Sequence, residues 1–368
     1  MHLKAISTAN FKNIRETTID FSERLNCFIG DNGAGKTNML DAIYYLSFTK
    51  SFFNSIDQMN VCHGENWFMI KGLYERHDAA EQIICSFQDG QKKQVKRNTK
   101  SYRKMSEHIG LLPLVMVSPG DANLILGGSD ERRKFIDGVI SQYDAVYLAN
   151  LLRYNRTLMQ RNNLLKQAAQ DNRFDDEVIE TYDYTLNELG ANIYEKRREF
   201  IEKLEPVFQR YYTRISNGIE QVELFYQSDL ERDSLEKLLR ENRVCDRKLQ
   251  FTTAGVHKDD LMLKLSGYPI KKLGSQGQQK TYLIALKLAQ FDFIRQISGI
   301  RPILLLDDIF DKLDKKRVEQ IIKMVDGEQF GQIFITDTNR EHLDSILLSA
   351  ASGYNIYNVS QGNIEIVS

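Results

Sequence analysis

The 368-residue chain has only four cysteines, five prolines and one tryptophan, and no uninterrupted apolar run near the length of a membrane span. Each shortage excludes something. Cys27, Cys62, Cys85 and Cys245 stand singly, without the Cys-x-x-Cys spacing of a zinc ligand set, and are too few for a disulfide framework, so core thiols are expected. A spanning helix needs about 20 consecutive apolar residues, and Met1–Ile6 lacks the basic-then-apolar pattern of a secretory signal. A cytoplasmic protein with no membrane partner is expected. Charge of one sign is also missing: 49 Lys and Arg against 50 Asp and Glu leave a net of −1, which excludes a uniformly basic coat. Any site for a polyanion must therefore be local. Proline is absent between Pro119 and Pro206, and Gly190 is the single glycine between Gly138 and Gly218, so the middle of the chain reads as a mostly helical insertion.

What is present centres on Gly30-Asp31-Asn32-Gly33-Ala34-Gly35-Lys36-Thr37, which fits the phosphate-binding pattern Gly-x4-Gly-Lys-Thr. Glycines let the backbone turn tightly and aim successive N–H groups at phosphate. Lys36 can reach the β- and γ-phosphates, and the Thr37 hydroxyl can ligate Mg²⁺. The context agrees: Leu25–Ile29 reads as a buried strand entering the loop, and Asn38–Leu46 places apolar residues at helical spacing after it. A helix starting at Lys36–Thr37 adds its dipole to the anion site. The expected ligand is a nucleoside triphosphate.

Around the loop, Leu3–Ser7 running into Asn10–Asn13, and Thr17–Phe21, read as strands. Trp67–Tyr74 and Gln82–Phe87 read as strands of an antiparallel sheet, with a turn at Asp89-Gly90. Residues 91–104 carry Lys92, Lys93, Lys96, Arg97, Lys100, Arg103 and Lys104 and no acid. Seven cations in fourteen positions suit DNA phosphate, with Tyr102 available to stack on a base or sugar. A solvated hairpin with lysines guarding a sheet edge is the alternative. Leu111–Val117 reads as a buried strand closed by Ser118-Pro119-Gly120-Asp121. Helices are expected from Ser129 and over about 176–205, making an arm that ends at Asn217-Gly218 and lacks the sustained heptads of a long coiled coil; the next helix, over about 233–242, returns the chain to the sheet. Arg153, Arg156, Arg161 and Lys166 lie in an acid-free stretch of that arm and either line a duplex or face solvent.

Two further stations belong to the nucleotide. Ser275-Gln276-Gly277-Gln278 opens a strong helix and is another anion-friendly helix start. Pro302–Leu306 is an apolar strand ending in Asp307-Asp308, the form of a Walker B segment. There Asp307 can hold Mg²⁺ through its water shell and Asp308 can orient the attacking water. Gln332–Thr338 continues the parallel sheet, and Tyr354–Val359 with Asn363–Val367 forms a hairpin around Gln361-Gly362.

This ordered set resembles the ABC/SMC-type ATPase heads and, within them, the RecF family of bacterial recombination-repair ATPases. The resemblance is near full length. It rests on Asn10-Phe11-Lys12-Asn13, the phosphate loop, Ser118–Asp121 followed by Glu131–Asp137, Gly255–Asp260, Ser275–Gln278 and Leu306–Asp308. It implies an α/β, ABC/SMC-type P-loop head with an antiparallel β subdomain, built from residues 1–125 plus 245–368, and a helical arm domain over 126–244. It further implies an ATP-dependent homodimer, each nucleotide lying between one copy's phosphate loop and the other's signature. On that carry-over Lys36 and Thr37 hold phosphate and Mg²⁺ in cis, Ser275 and Gly277 cap the γ-phosphate in trans with Gln278 beside them, and Asp314 belongs to a loop communicating across the dimer. The family also implies binding to gapped or junction DNA, and cooperation with RecO and RecR in loading RecA. Three departures stand out. Asp308 replaces the glutamate usual after Walker B, and its shorter reach suggests slow hydrolysis. Thr336-Asp337-Thr338 stands where ABC heads often carry a switch histidine, and no Q-loop glutamine is placed. His257 is either a site residue or a structural one. A membrane-transporter ATPase subunit is the alternative function; a non-enzymatic scaffold is a third.

Overall fold

The structure is a computed structural model describing residues 1–171, 175–216, 218, 220–310, 313–325, 327, 329–338 and 353–367. It divides into two compact units: residues 1–122, 211–219 and 275–368, and residues 123–210 and 220–274. Residues 245–274, read from the sequence as part of the head, group with the second unit.

The first unit contains two six-stranded sheets among its described residues. One is antiparallel and runs β2 (Ile14–Asp20), β1 (His2–Phe11), β4 (Trp67–Arg76), β5 (Ala79–Gln88), β6 (Gln94–Arg97), β7 (Lys100–Ser101). The strands expected at Leu3–Ser7 and Asn10–Asn13 are one strand ending at Phe11. The β4–β5 turn is made by His77 and Asp78, both with positive φ of 52° and 58°, a geometry that matches strand twist. Asp89-Gly90 forms the expected turn, between β5 and β6.

The second sheet runs β15 (Asn363–Ile366), β14 (Tyr354–Ser360), β3 (Leu25–Ile29), β13 (Ile333–Asp337), β12 (Ile303–Asp307), β8 (Leu114–Val117), parallel except for β15. Buried on both faces, β12 and β8 read as continuous apolar runs, as parallel strands should. Phe28 stacks between Phe334 and Tyr357, and Phe21 meets all three edge-on. The helix α1 (Lys36–Phe48) buries Met39, Leu40, Ile43 and Leu46 in one core shared with both sheets.

The second unit is built from α2 (Ala122–Leu126), α3 (Ser129–Ile140), α4 (Ala145–Asp171), most of α5 (Asp176–Ser216) and α6 (Leu235–Leu249). It also holds a three-stranded antiparallel sheet of β9 (Val222–Gln227), β10 (Asp260–Leu265) and β11 (Tyr268–Pro269), followed by the short α7 (Ile270–Leu273). The sequence reading missed this sheet. It also stopped α5 near Glu205, whereas the helix continues through Pro206 to Ser216. An interior proline costs about 3 kcal/mol, and the burial of Leu204, Val207, Phe208, Tyr212 and Ile215 outweighs it. Asn217, expected at the arm's end, lies outside the described residues. Three cysteines are buried as expected, but Cys245 is exposed on α6.

The chain re-enters the first unit with α8 (Gln276–Ser298), whose middle residues 281–294 are all buried. After β12 comes α9 (Lys315–Val325).

Candidate functional site

The parallel sheet sets the site. In its register Ile29 lies level with Asp337, and Asp307 with Thr336, so β3, β13 and β12 all end at one edge. The phosphate loop leaves β3 there and turns into α1. Two glycines have no substitute in this turn. A Cβ on Gly30 would sit 2.2 Å from the Val359 carbonyl oxygen, and Gly35, at φ 119°, passes so close to Asn13 that a Cβ would lie 2.8 Å from its amide. The loop is braced from outside: the Ala34 carbonyl accepts from Asn13 Nδ2 at 3.1 Å and from the Gly362 N–H at 2.8 Å. Asn38 Nδ2 donates to Asn13 Oδ1 at 2.7 Å, tying the first turn of α1 to the same brace. Beneath it, buried Asp41 pairs with Lys12 at 2.6 Å and accepts from Ser51 and the Phe52 N–H. Lys12 and Asn13 thus have a physical task, holding the loop and its helix, which spacing alone did not disclose.

Inside the loop, Lys36 is almost fully buried and donates to the carbonyls of Gly30 at 2.7 Å and Asp31 at 3.0 Å. Thr37 Oγ1 donates to Asp307 Oδ1 at 2.8 Å. Thr336, from the strand between, donates to the same oxygen at 2.8 Å and accepts from the Asp308 N–H at 3.0 Å. Burial pushes the Asp307 carboxyl above the usual range; the two threonine hydroxyls pull it down, while neighbouring Asp308 adds to the rise. Asp308 itself has φ 45°, a left-handed conformation that a non-glycine residue holds only under tertiary constraint. Thr336, noted from the sequence only as the residue standing where a histidine is common, is the hydroxyl that links Asp307 to Asp308.

A hydroxyl and a carboxylate 2.8 Å apart are hard oxygen donors suited to Mg²⁺. Among the described residues no group of three or more His, Cys, Asp or Glu could hold a metal unaided. That donor set fits an ion which keeps waters and shares its coordination with phosphate oxygens.

The signature segment closes on itself. Ser275 Oγ accepts from the Gln278 N–H at 3.2 Å, and Gln278 Oε1 accepts from the Ser275 N–H at 2.8 Å, a capping box at the start of α8. Ser275 and Gln276 are exposed. Ser118–Asp121 follows β8 beside the Walker B strand, and Asp121 pairs with Lys287 of α8 at 2.7 Å. In the loop that follows β12, Asp311 and Lys312 lie outside the described residues; Asp314 is described and exposed.

The basic segment forms β6, β7 and the turn after them, at the edge of the antiparallel sheet. Two of its seven cations are tied into the fold. Lys93 pairs with Asp57 at 2.9 Å and donates to the Thr49 carbonyl at 2.6 Å, and Arg97 pairs with the buried Glu81. Lys92, Lys100, Arg103 and Lys104 are exposed, and Lys96 is half-buried. Tyr102 does not stand free to stack: it is half-buried, edge-on to His108, with its hydroxyl 3.2 Å from His108 Nδ1.

In the second unit, Arg161 is no duplex contact, being fully buried between Asp183 at 2.6 Å and Asp246 at 2.7 Å; Arg153, Arg156 and Lys166 are exposed. His257 has both nitrogens engaged, Nδ1 with the Tyr154 hydroxyl at 2.9 Å and Nε2 with the Thr252 carbonyl at 3.0 Å. Burial lowers its pKa to about 4. It is a neutral, half-buried histidine with a structural hydrogen-bonding role.

Known proteins agree with this geometry. The RecF/RecN/SMC N terminal domain family profile matches residues 2–365. The chain is 50% identical to the DNA replication and repair protein RecF of Flavobacterium johnsoniae, over 98% of this chain and all of that one. It is 53% identical to the RecF of Bacteroides thetaiotaomicron, over 99% of this chain and 98% of that one. A solved structure of "the recombination mediator protein RecF-ATP in RecFOR pathway" superposes with a TM-score of 0.90 at 31% identity, covering 100% of this chain and 98% of the other. The Smc head domain of Pyrococcus furiosus, at 16% identity and a TM-score of 0.60 over 100% and 96% of the two chains, shares the fold.

Proposed function

The chain belongs to the RecF family of ABC/SMC-type ATPase heads, and from that premise we propose that it is an ATP-dependent DNA-binding clamp of recombinational repair and replication restart in the cytoplasm. The relatives are named DNA replication and repair proteins, and one was solved with ATP. Gly30–Thr37 bind the triphosphate in cis, and Ser275, Gly277 and Gln278 of a second copy complete the site. Thr37 and Asp307 would hold Mg²⁺, which would supply charge neutralisation at the phosphates. Lys36 reaches the β/γ-phosphates, and Asp308, one peptide beyond the metal-holding carboxylate, orients the attacking water. A carboxylate one methylene shorter than glutamate makes hydrolysis slow, so turnover serves to release the clamp, and DNA stimulates it. The clamp acts on gapped or junction DNA and, with RecO and RecR, helps load RecA.

The observation that carries this reading is the convergence of the Thr37 and Thr336 hydroxyls on Asp307 Oδ1 at the mouth of the phosphate loop. It supports metal-assisted phosphoanhydride chemistry and not a vestigial fold. The test is binding to gapped, duplex and single-stranded DNA with ATP, with ADP and without nucleotide, alongside phosphate release. Tight binding to gapped DNA with ATP alone is expected. Equal binding in all nucleotide states, or no turnover, overturns the clamp.

A further inference from the structure

Gly277 is the second residue of α8 and has no positive φ. Glycine is a weaker helix former than alanine, so its use lies in the space it leaves. That space is occupied. A Cβ at Gly277 would lie 2.8 Å from Arg317 Nη1 and 4.0 Å from its Cζ, so the tip of the guanidinium takes the place a side chain would need. Arg317 comes from the first turn of α9, and Asp314 holds it there. The Asp314 carboxylate accepts from the Arg317 N–H at 3.0 Å, its second oxygen lies 3.3 Å from Arg317 Nε, and its carbonyl accepts from the Val318 N–H at 3.1 Å. One side chain therefore spans two segments: the turn at Asp314 and the capped first turn of α8.

We propose that Arg317 is a positioning residue of the signature half-site, locking the Asp314 turn to Ser275–Gln278 so that both are offered to a second copy as one rigid surface. This rests on the reading that the signature completes a partner's nucleotide site. Arginine suits the task because its planar fork gives Nε to Asp314 while Nη1 points end-on into the space beside the glycine; lysine has one point charge and cannot do both. The lock can be broken in two independent ways, by removing the guanidinium or by filling its seat.

The test uses the full chain and the variants Arg317→Ala, Arg317→Lys, Gly277→Ala and the double Arg317→Ala/Gly277→Ala. Hydrogen exchange of the single chain without nucleotide should speed up at Gln278 and Gln279 together with Arg317 and Val318 in each single variant, and no further in the double. ATP-dependent dimerisation, read by sedimentation, should weaken on the order of tenfold, with Arg317→Lys failing to restore it. Unchanged exchange at Gln278 and Gln279 in Arg317→Ala, additive effects in the double, or full rescue by lysine overturns the proposal. Absence of ATP-dependent dimerisation in the unmodified chain overturns instead the two-copy reading, while the exchange result still decides whether Arg317 locks the turns.

Discussion

The two units each bury a polar centre, and the centres are built on opposite plans. In the first unit a carboxylate, Asp307, is met by two hydroxyls, and among the described residues no ion pair reaches it. In the second, two guanidinium groups are met by carboxylates. Arg161 lies between Asp183 and Asp246 and also donates to Thr252 at 2.8 Å, joining α4, α5 and α6. Arg197 pairs with Asp137 at 2.9 Å and Asp259 at 3.2 Å and donates to the Val256 carbonyl at 2.7 Å. Burial works against its charge, and Tyr147, Asp137 and Tyr226 overcome that and keep it cationic. A buried charge matched by counter-charges is a fastener. A buried carboxylate held by hydroxyls, with Lys36 acting on it only at a distance, is the place where an added cation gains most.

The sharpest way to break this contrast is to remove a partner from each centre. Arg197→Ala should destabilise the second unit by roughly 3–5 kcal/mol, because buried Asp259 and half-buried Asp137 are left without their counter-charge; urea unfolding reads it. Asp307→Asn should leave the nucleotide-free protein as stable or slightly more so, while lowering Mg²⁺-dependent ATP turnover on the order of 100-fold. A large loss of stability in Asp307→Asn would make that centre a fastener too.

The pH dependence runs in opposite directions at Asp307 of the first unit and His257 of the second. The folded-state pKa of Asp307 is raised, so its contribution to stability is complete below the unfolded value and fades as pH rises through the folded one. The folded-state pKa of His257 is lowered to about 4, so its contribution is present above the unfolded value near 6.5 and lost as pH falls toward 4. That shift amounts to about 3 kcal/mol. His257→Gln should flatten the stability slope between pH 6.5 and 4, measured by urea unfolding at each pH. A slope equal to that of the unmodified chain would remove His257 from the account.

The same contrast recurs in small at the basic hairpin, where the expected effect is least. Replacing exposed Lys92, Lys100, Arg103 and Lys104 by Gln should reduce the slope of log binding constant against log salt by up to about 0.9 for each phosphate no longer neutralised. Replacing Lys93 or Arg97, which are paired with Asp57 and Glu81, should loosen the hairpin and change that slope less. An unchanged slope in the first set moves the DNA surface elsewhere.

Much of the head was legible because its signals are local. Leu25–Thr37 combines a buried strand, close glycines and a helix start within thirteen residues, and Pro302–Asp308 ends an apolar run in two carboxylates. The Ser275–Gln278 capping box is likewise a four-residue device. The second unit was harder to read, since Arg161 looks like any surface cation in an acid-free stretch until Asp183 and Asp246 are brought to it from 22 and 85 residues away. Pro206 read as a stop because propensity was visible and the burial around it was not.

By itself, then, the sequence determined the nucleotide loop, the strand and helix on either side of it, and the apolar strand that ends in Asp307-Asp308. Each depends on residues adjacent along the chain, where backbone geometry is set by side-chain type. Only tertiary structure decided which charges are fasteners, that Thr336 links the two aspartates, that Asn13 braces the loop and that Arg317 fills the space at Gly277. Those roles arise from groups far apart in sequence meeting within a few ångströms, and burial there changes what a charge costs and what it can do.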